Sequence, residues 1–183
     1  MIKKFQNYTD AELREAGVVF GTNVSISNDV ILHNPQNIML GDNVRIDAHC
    51  MLIAGVNTKI IFGSYIHIGA GTYMFGNSGN ITLEDYSGTS SRCALYTSND
   101  DYVEGYMTNP MVEDKYKKVK IGDITLKKHV IVGCCTVILP NIILEHATSV
   151  GAHSLVKKST QPFDLVLGAP AKFVKKRKNV YLN

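Results

Sequence analysis

The stretch LKKHVIVGCCTVILPNIILEHATSVGAHSLV, residues 126–156, decides the fold. Every sixth residue from its start is aliphatic: Leu126, Val132, Ile138, Leu144, Val150 and Val156, with Lys, His, Asn, Glu, Ser and Gly between them. Such a period fits neither an amphipathic helix, which repeats every ~3.6 residues, nor a half-exposed strand, which repeats every ~2. It fits a chain that turns a corner every sixth residue and sends one aliphatic side chain per face into a triangular coil. Successive coils then hydrogen-bond at strand spacing, about 4.8 Å, as a parallel β-helix.

The same phase runs backwards through the chain with resets. Phe20, Ile26 and Leu32 are in step, then Leu40, Ile46 and Leu52, then Phe62, Ile68 and Met74, then Leu83, Thr89 and Leu95. Each reset follows a polar or Gly-rich insertion at 33–39, 55–59 or 76–80, and insertions at corners add little closure entropy. Glycines such as Gly41, Gly63, Gly133 and Gly151 follow inward residues and are read as corner geometry, with no phosphate loop. Ahead of the coils, Thr9-Asp10-Ala11-Glu12 is a capping box that predicts a helix over 9–16, stopped by Gly17. The expected organisation is one domain: a helical cap at 1–19, coils at 20–96 and 119–158, and a C-terminal segment at 159–183. Between the coils, 97–118 has no sixfold phase, is acidic and carries Tyr102, Tyr106 and Tyr116, which predicts an ordered projecting loop. The basic tail from 172 to 181 is expected to form a short helix.

Composition excludes several classes. The 183 residues are 45% hydrophobic and 19% charged, ordinary for a packed domain, and a net charge of +3 is too small to argue for nucleic acid. No apolar run resembles a signal peptide or a membrane span, so a cytoplasmic protein without membrane insertion is expected. Cys50, Cys93, Cys134 and Cys135 show no paired spacing, and Cys134 and Cys135 are expected on opposite faces of a strand, so free thiols are expected. The six histidines form no pattern of metal ligands, and no metal is expected. The basic residues do crowd the end, from Lys157 and Lys158 to Lys172, Lys175 and Lys176, where an anionic ligand would be held.

By phase and motif the chain resembles the hexapeptide-repeat acyltransferases, the family of galactoside, maltose and xenobiotic acetyltransferases and serine acetyltransferase. The residues that carry the resemblance are Val132-Gly133-Cys134, Val137-Ile138-Leu139-Pro140-Asn141, the run Val150 to Lys158, and Gly168-Ala169-Pro170-Ala171-Lys172, similar to the family's G-x-P-A-K signature. Within the family it looks most like the acetyltransferases of O-antigen and capsular polysaccharide biosynthesis, which carry a similar S-x-D-D-Y stretch, here Ser98-Asn99-Asp100-Asp101-Tyr102. The resemblance implies a left-handed β-helix, a homotrimer, acetyl-coenzyme A as donor and a carbohydrate or nucleotide-sugar acceptor. A cofactor site is expected along small corners with exposed amides at Gly133, Cys134, Gly151 and Ala152, the Gly168–Pro170 turn, and the cations Lys157, Lys158, Lys172 and Lys175.

The acceptor side departs from the family. Many members carry a catalytic histidine on the loop after the coil that ends here at Leu95, and this loop has none; Asp100 stands in its place. An ordinary carboxylate is a weak base for a sugar hydroxyl unless burial or a like charge raises its pKa, and Asp101 alongside is expected to supply that charge. Asp100 and Asp101 are therefore the candidate catalytic pair, with Ser98, Asn99 and Tyr102 beside the acceptor, and His67 or His49 as substitutes from another coil. A carboxylate pair also suits an amino sugar, since it holds an ammonium and accepts its proton. Two readings of other classes are open on the residues: a non-catalytic β-helix scaffold, and a gamma carbonic anhydrase, whose H-x-x-x-x-H pair this chain lacks.

Overall fold

The computed structural model describes residues 6–178. Among them the chain climbs through six complete coils and one strand of a seventh, forming the left-handed parallel β-helix expected. Face one stacks Val19–Phe20, Ile38–Leu40, Ile60–Phe62, Ile81–Leu83, Ile124–Leu126 and Ile142–Leu144. Face two stacks Ser25–Ile26, Val44–Ile46, Ile66–Ile68, Gly88–Thr89, Ile131–Val132, Ser149–Val150 and Asp164–Leu167. Face three stacks Ile31–His33, Met51–Ala54, Tyr73–Gly76, Ala94–Tyr96, Val137–Ile138 and Leu155–Val156.

Register makes every sixfold position a vertical column. Leu40, Phe62, Leu83, Leu126 and Leu144 pair in succession on face one, Ile46, Ile68, Thr89, Val132 and Val150 on face two, and Leu52, Met74, Leu95, Ile138 and Val156 on face three. All of these are buried. The insertions differ in length, but all are absorbed at the corner between faces three and one, so the columns continue unbroken. Thr89 alone breaks their chemistry: its hydroxyl is buried and has no hydrogen-bond partner among the described residues.

The other two corners use the left-handed backbone region. Asn23, Asn43, Tyr65, Tyr86, His129, Ala147 and Phe163 have positive φ between faces one and two, and His49, Gly71, Arg92, Cys135 and His153 between faces two and three. None is β-branched, as that region requires. This corrects the expectation for the adjacent cysteines: Cys134 and Cys135 lie in a turn with Cys135 at φ +59°, and are not on opposite faces of a strand.

Both ends of the coil are closed. At one, Asp10–Glu15 forms the expected helix, with Thr9 and Glu12 completing the capping box and Leu13 buried against the first coil. At the other, Lys172–Lys176 corrects the expected helix: it is a strand, antiparallel to Asp164–Leu167. A lysine-bearing strand on the sheet's outer edge resists further strand addition. Residues 179–181 of the predicted tail helix lie outside the described residues.

An unsatisfied buried hydroxyl is destabilising by about 1 kcal/mol or more relative to an apolar isostere. Thr89→Val, which continues the Ile68–Val132 column, is therefore expected to raise stability by about 1 kcal/mol. A urea midpoint shifted upward checks this, and a downward shift refutes the orphan hydroxyl.

Candidate active site

The projecting loop leaves the coil after Leu95 and is tied at its base by Ser98–Asn99 pairing antiparallel with Lys120–Ile121. Coil geometry resumes at Ile124, five residues beyond the expected restart at 119. The two neighbouring aspartates part company inside this loop. Asp101 is buried, and its carboxylate accepts from the backbone N–H groups of Val103 at 3.2 Å, Glu104 at 2.8 Å and Tyr106 at 3.4 Å. Burial alone would raise its pKa, but those three donors, with Lys118 nearby, outweigh it and hold the carboxyl below its ordinary value. Asp101 is thus a loop anchor, which corrects its expected place in a catalytic pair: its carboxylate is committed to backbone donors. Asp100 is half-exposed, and among the described residues its carboxylate accepts one long bond, from Asn109 N–H at 3.3 Å. Asn99 Nδ2 donates to the Asp100 carbonyl at 3.1 Å, whereas Tyr102 points outward at 80% exposure.

The expected cofactor corner lies between faces two and three. Gly133 and Gly151 occupy equivalent places on adjacent coils, but their N–H groups donate to Val150 and Val166 carbonyls, each at 2.8 Å. The expectation of free amides at the two glycines is therefore wrong. A Cβ on Gly133 would stand 2.5 Å from the Ala152 nitrogen, so glycine here lets the coils stack. The next amides along, of Cys134 and Ala152, make no hydrogen bond among the described residues and belong to half-exposed and exposed residues. Beyond them the Gly168–Lys172 turn is fastened to the last coil: Gly168 N–H donates to Ser154 Oγ at 3.1 Å, and Ala171 N–H to the Leu155 carbonyl at 2.8 Å. Lys158 and Lys172 line one small groove there with Val156 and Phe173, while Lys157 and Lys175 are exposed outside it.

A larger groove, about 560 Å³, was not anticipated. It lies on face two against coils three to five and is lined by Tyr65, His67, Tyr86, Ser90, His129 and Arg177 among others. Tyr65 stacks on Tyr86 at 4.7 Å, and Tyr86 on His129 at 5.1 Å, because corner residues of successive coils stand one strand spacing apart. Burial first, then His146, Lys128 and Arg177, depress the His129 pKa, so the ring is neutral at pH 7. His67 Nε2 is 2.9 Å from Asp47 Oδ2, and Arg45 Nε donates to Asp47 Oδ1 at 2.7 Å. These residues are scattered through the chain; writing the coils beneath one another, in phase, would have aligned Tyr65, Tyr86 and His129.

Known proteins resemble the chain along nearly its whole length. No protein-family model matches it. It is 38% identical over 169 residues, 92% of its own length and 87% of the relative's, to the dTDP-4-amino-4,6-dideoxy-D-glucose acyltransferase of Escherichia coli. The N-acyltransferase AntD of Bacillus cereus, in complex with dTDP and 3-hydroxybutyryl-CoA, matches with a TM-score of 0.88 at 38% identity, covering 94% of this chain and 90% of that one. The polySia-specific acetyltransferase NeuO matches at a TM-score of 0.58 and 21% identity, covering 91% and 85%, a likeness of fold alone.

The Asp101 anchor has a measurable consequence. Its lowered pKa means that its contribution is complete above the ordinary carboxyl value of 3.8 and is lost as pH falls through the lower folded value. At neutral pH, Asp101→Ala is expected to leave the melting of the coils unchanged and to expose the loop, read as faster trypsin cleavage after Lys115, Lys117 and Lys118. Unchanged cleavage would show that the anchor does not hold the loop.

Proposed function

The chain belongs to the hexapeptide-repeat acyltransferases, and we propose that it transfers an acetyl or similar short acyl group from coenzyme A to the amino group of a nucleotide-linked sugar. The acyl–CoA thioester supplies an activated carbonyl carbon; the amine gives up its proton, the C–N bond forms, the C–S bond breaks, and the departing thiolate takes up a proton to leave as the thiol. The chain's own residues must then hold the sugar ammonium, take its proton and keep both substrates in line.

Asp100 carries this reading. AntD was solved with a serine replaced in some forms and, ten positions further along, an aspartate replaced in others. Three serine–aspartate pairs here have that spacing: Ser90 with Asp100, Ser91 with Asp101 and Ser154 with Asp164. Asp101 is committed to the loop backbone, and Asp164 to Lys176 at 2.7 Å and to the Gln161 N–H at 2.9 Å. That leaves Asp100 with a carboxylate available to a substrate amine. An amine also suits a carboxylate better than a hydroxyl does. Its ammonium is attracted to the anion, and the proton to be removed is far more acidic than an alcohol's.

The free Cys134 and Ala152 amides support binding of the pantetheine arm, and Lys158 and Lys172 binding of the phosphates, with Lys157 and Lys175 contributing charge from outside the groove. The outward side of face three supports a homotrimer. It presents Ile31 at 54% exposure and Tyr73 at 42%, with Met51, Ile53, Phe75 and Tyr96 half-exposed between them, an apolar surface suited to a second copy. We place the enzyme in the cytoplasm; among the described residues no helix is long and apolar enough to cross a membrane.

Asp100→Asn removes the proton acceptor while keeping the side chain's size. It is expected to lower kcat by about 100-fold or more, with the KM for acyl-CoA nearly unchanged, in steady-state assays on a nucleotide-linked 4-amino sugar. Turnover close to wild type would remove Asp100 from the chemistry.

A further inference from the structure

The loop that carries Asp100 and the insertion of the preceding coil, residues 76–80, leave the helix at the same corner, between faces three and one. Thr97 is where they meet. It lies one residue beyond the strand Ala94–Tyr96 and is fully buried, a polar side chain that the proposed chemistry does not use. Its backbone N–H and its hydroxyl both donate to the Phe75 carbonyl, at 3.0 and 2.7 Å. The same hydroxyl oxygen accepts from the N–H groups of Ser78 at 3.3 Å and Gly79 at 3.1 Å, which have no other acceptor among the described residues. Its carbonyl accepts from the Gly122 N–H, at the returning end of the loop, at 3.0 Å. One residue thus ties the preceding coil's strand and insertion to both ends of the loop.

The insertion is itself held at both ends. Gly55 N–H donates to the Gly76 carbonyl at 3.3 Å, and Asn80 N–H to the Asp123 carboxylate at 2.7 Å. Gly79 packs so closely on the loop's return that a Cβ there would stand 2.9 Å from the Gly122 carbonyl oxygen and 3.0 Å from an Asp123 carboxylate oxygen. From Thr97 the chain runs through Ser98–Asn99, paired with Lys120–Ile121, and the next residue is Asp100. We infer that Thr97 is a positioning residue for the reaction: its hydroxyl fixes the root of the loop on the 76–80 insertion and, through the short ladder, sets where the Asp100 carboxylate stands. The inference rests on the proposed role of Asp100. A hydroxyl suits the place because it donates once and accepts twice, and all three capacities are used here. Valine has the same shape but would leave the Ser78 and Gly79 amides unpaired, so the root would have to shift to satisfy them. A base must stand within hydrogen-bond reach of the proton it takes, and a displacement on the order of 1 Å is enough to slow the transfer.

Steady-state assays with acetyl-coenzyme A and a nucleotide-linked 4-amino sugar test this, with thermal melts to confirm folding. Thr97→Val is expected to lower kcat about tenfold with the KM for acetyl-coenzyme A nearly unchanged, and Thr97→Ser, which keeps the oxygen, to stay within about twofold of wild type. Gly79→Ala leaves the hydroxyl in place but forces the insertion off the loop's return, and is expected to lower kcat in the same way; it replaces Thr97→Val throughout if that variant does not fold. In an Asp100→Asn background, Thr97→Val is expected to cost nothing more, because a residue acting through Asp100 has nothing left to position. A full tenfold loss in that background, equal losses in the valine and serine variants, or wild-type kcat in folded Thr97→Val overturns the assignment. Wild-type turnover in Asp100→Asn alone overturns the functional reading of Asp100. Faster trypsin cleavage after Lys115, Lys117 and Lys118 in Thr97→Val, absent in Thr97→Ser, would then still support Thr97 as the tether of the loop.

Discussion

Coil-on-coil register is the constraint on which the rest of this structure depends. Each strand hydrogen-bonds only to the coil below and the coil above, so a side chain at one position must be compatible with the same position one strand spacing away. On the inside this demands an unbroken apolar column on each face, and the chain supplies one with Thr89 as the exception. At the corner between faces one and two it places a positive φ at the same position of every turn, which costs on the order of 1 kcal/mol per non-glycine residue. Ladder bonds and column burial offset that cost, and Asn, Tyr, His and Arg accept the conformation where Val, Ile or Thr would not.

The same repetition builds surfaces. Aromatic residues that share a corner stack because the fold leaves them one strand spacing apart, and Tyr65, Tyr86 and His129 form a wall without any local motif. A glycine in an outward column, as at Gly88, lets the coils approach closely: a Cβ there would stand 2.5 Å from the His67 carbonyl oxygen. Recognition on a β-helix is thus written across coils, at intervals of roughly twenty residues or more, and the rigid ladder fixes its geometry before any ligand arrives.

This explains what was legible in the sequence. The inward phase was, because each column imposes the same local chemistry: all six coils and their resets could be read from Phe20 through Val156. The helix cap was legible because Thr9 and Glu12 act over three residues. The tail was not, since Lys172–Lys176 is a strand only by pairing with Asp164–Leu167, and its local composition suits a helix equally well. Nor was the turn at Cys134 and Cys135, because cysteine carries no local preference for a corner. In the candidate site, Asp100 and Asp101 are indistinguishable as adjacent letters; only the closure of the loop onto Val103, Glu104 and Tyr106 separates an anchor from an available carboxylate.

The three corners consequently have different work. The corner between faces one and two is aromatic and cationic, that between faces two and three is small and offers free amides, and that between faces three and one accepts the insertions, including the loop with Asp100. A triangular prism holds these corners apart on one chain, with face two lying between the aromatic corner and the amide corner and Asp100 at the third. The groove over face two therefore sits away from the Asp100 of its own chain. In the proposed homotrimer the loop of a neighbouring copy is free to approach that face. The exposed Val103 and Met111 on the loop, 89% and 92% accessible in the single chain, are the apolar contacts such an approach would cover.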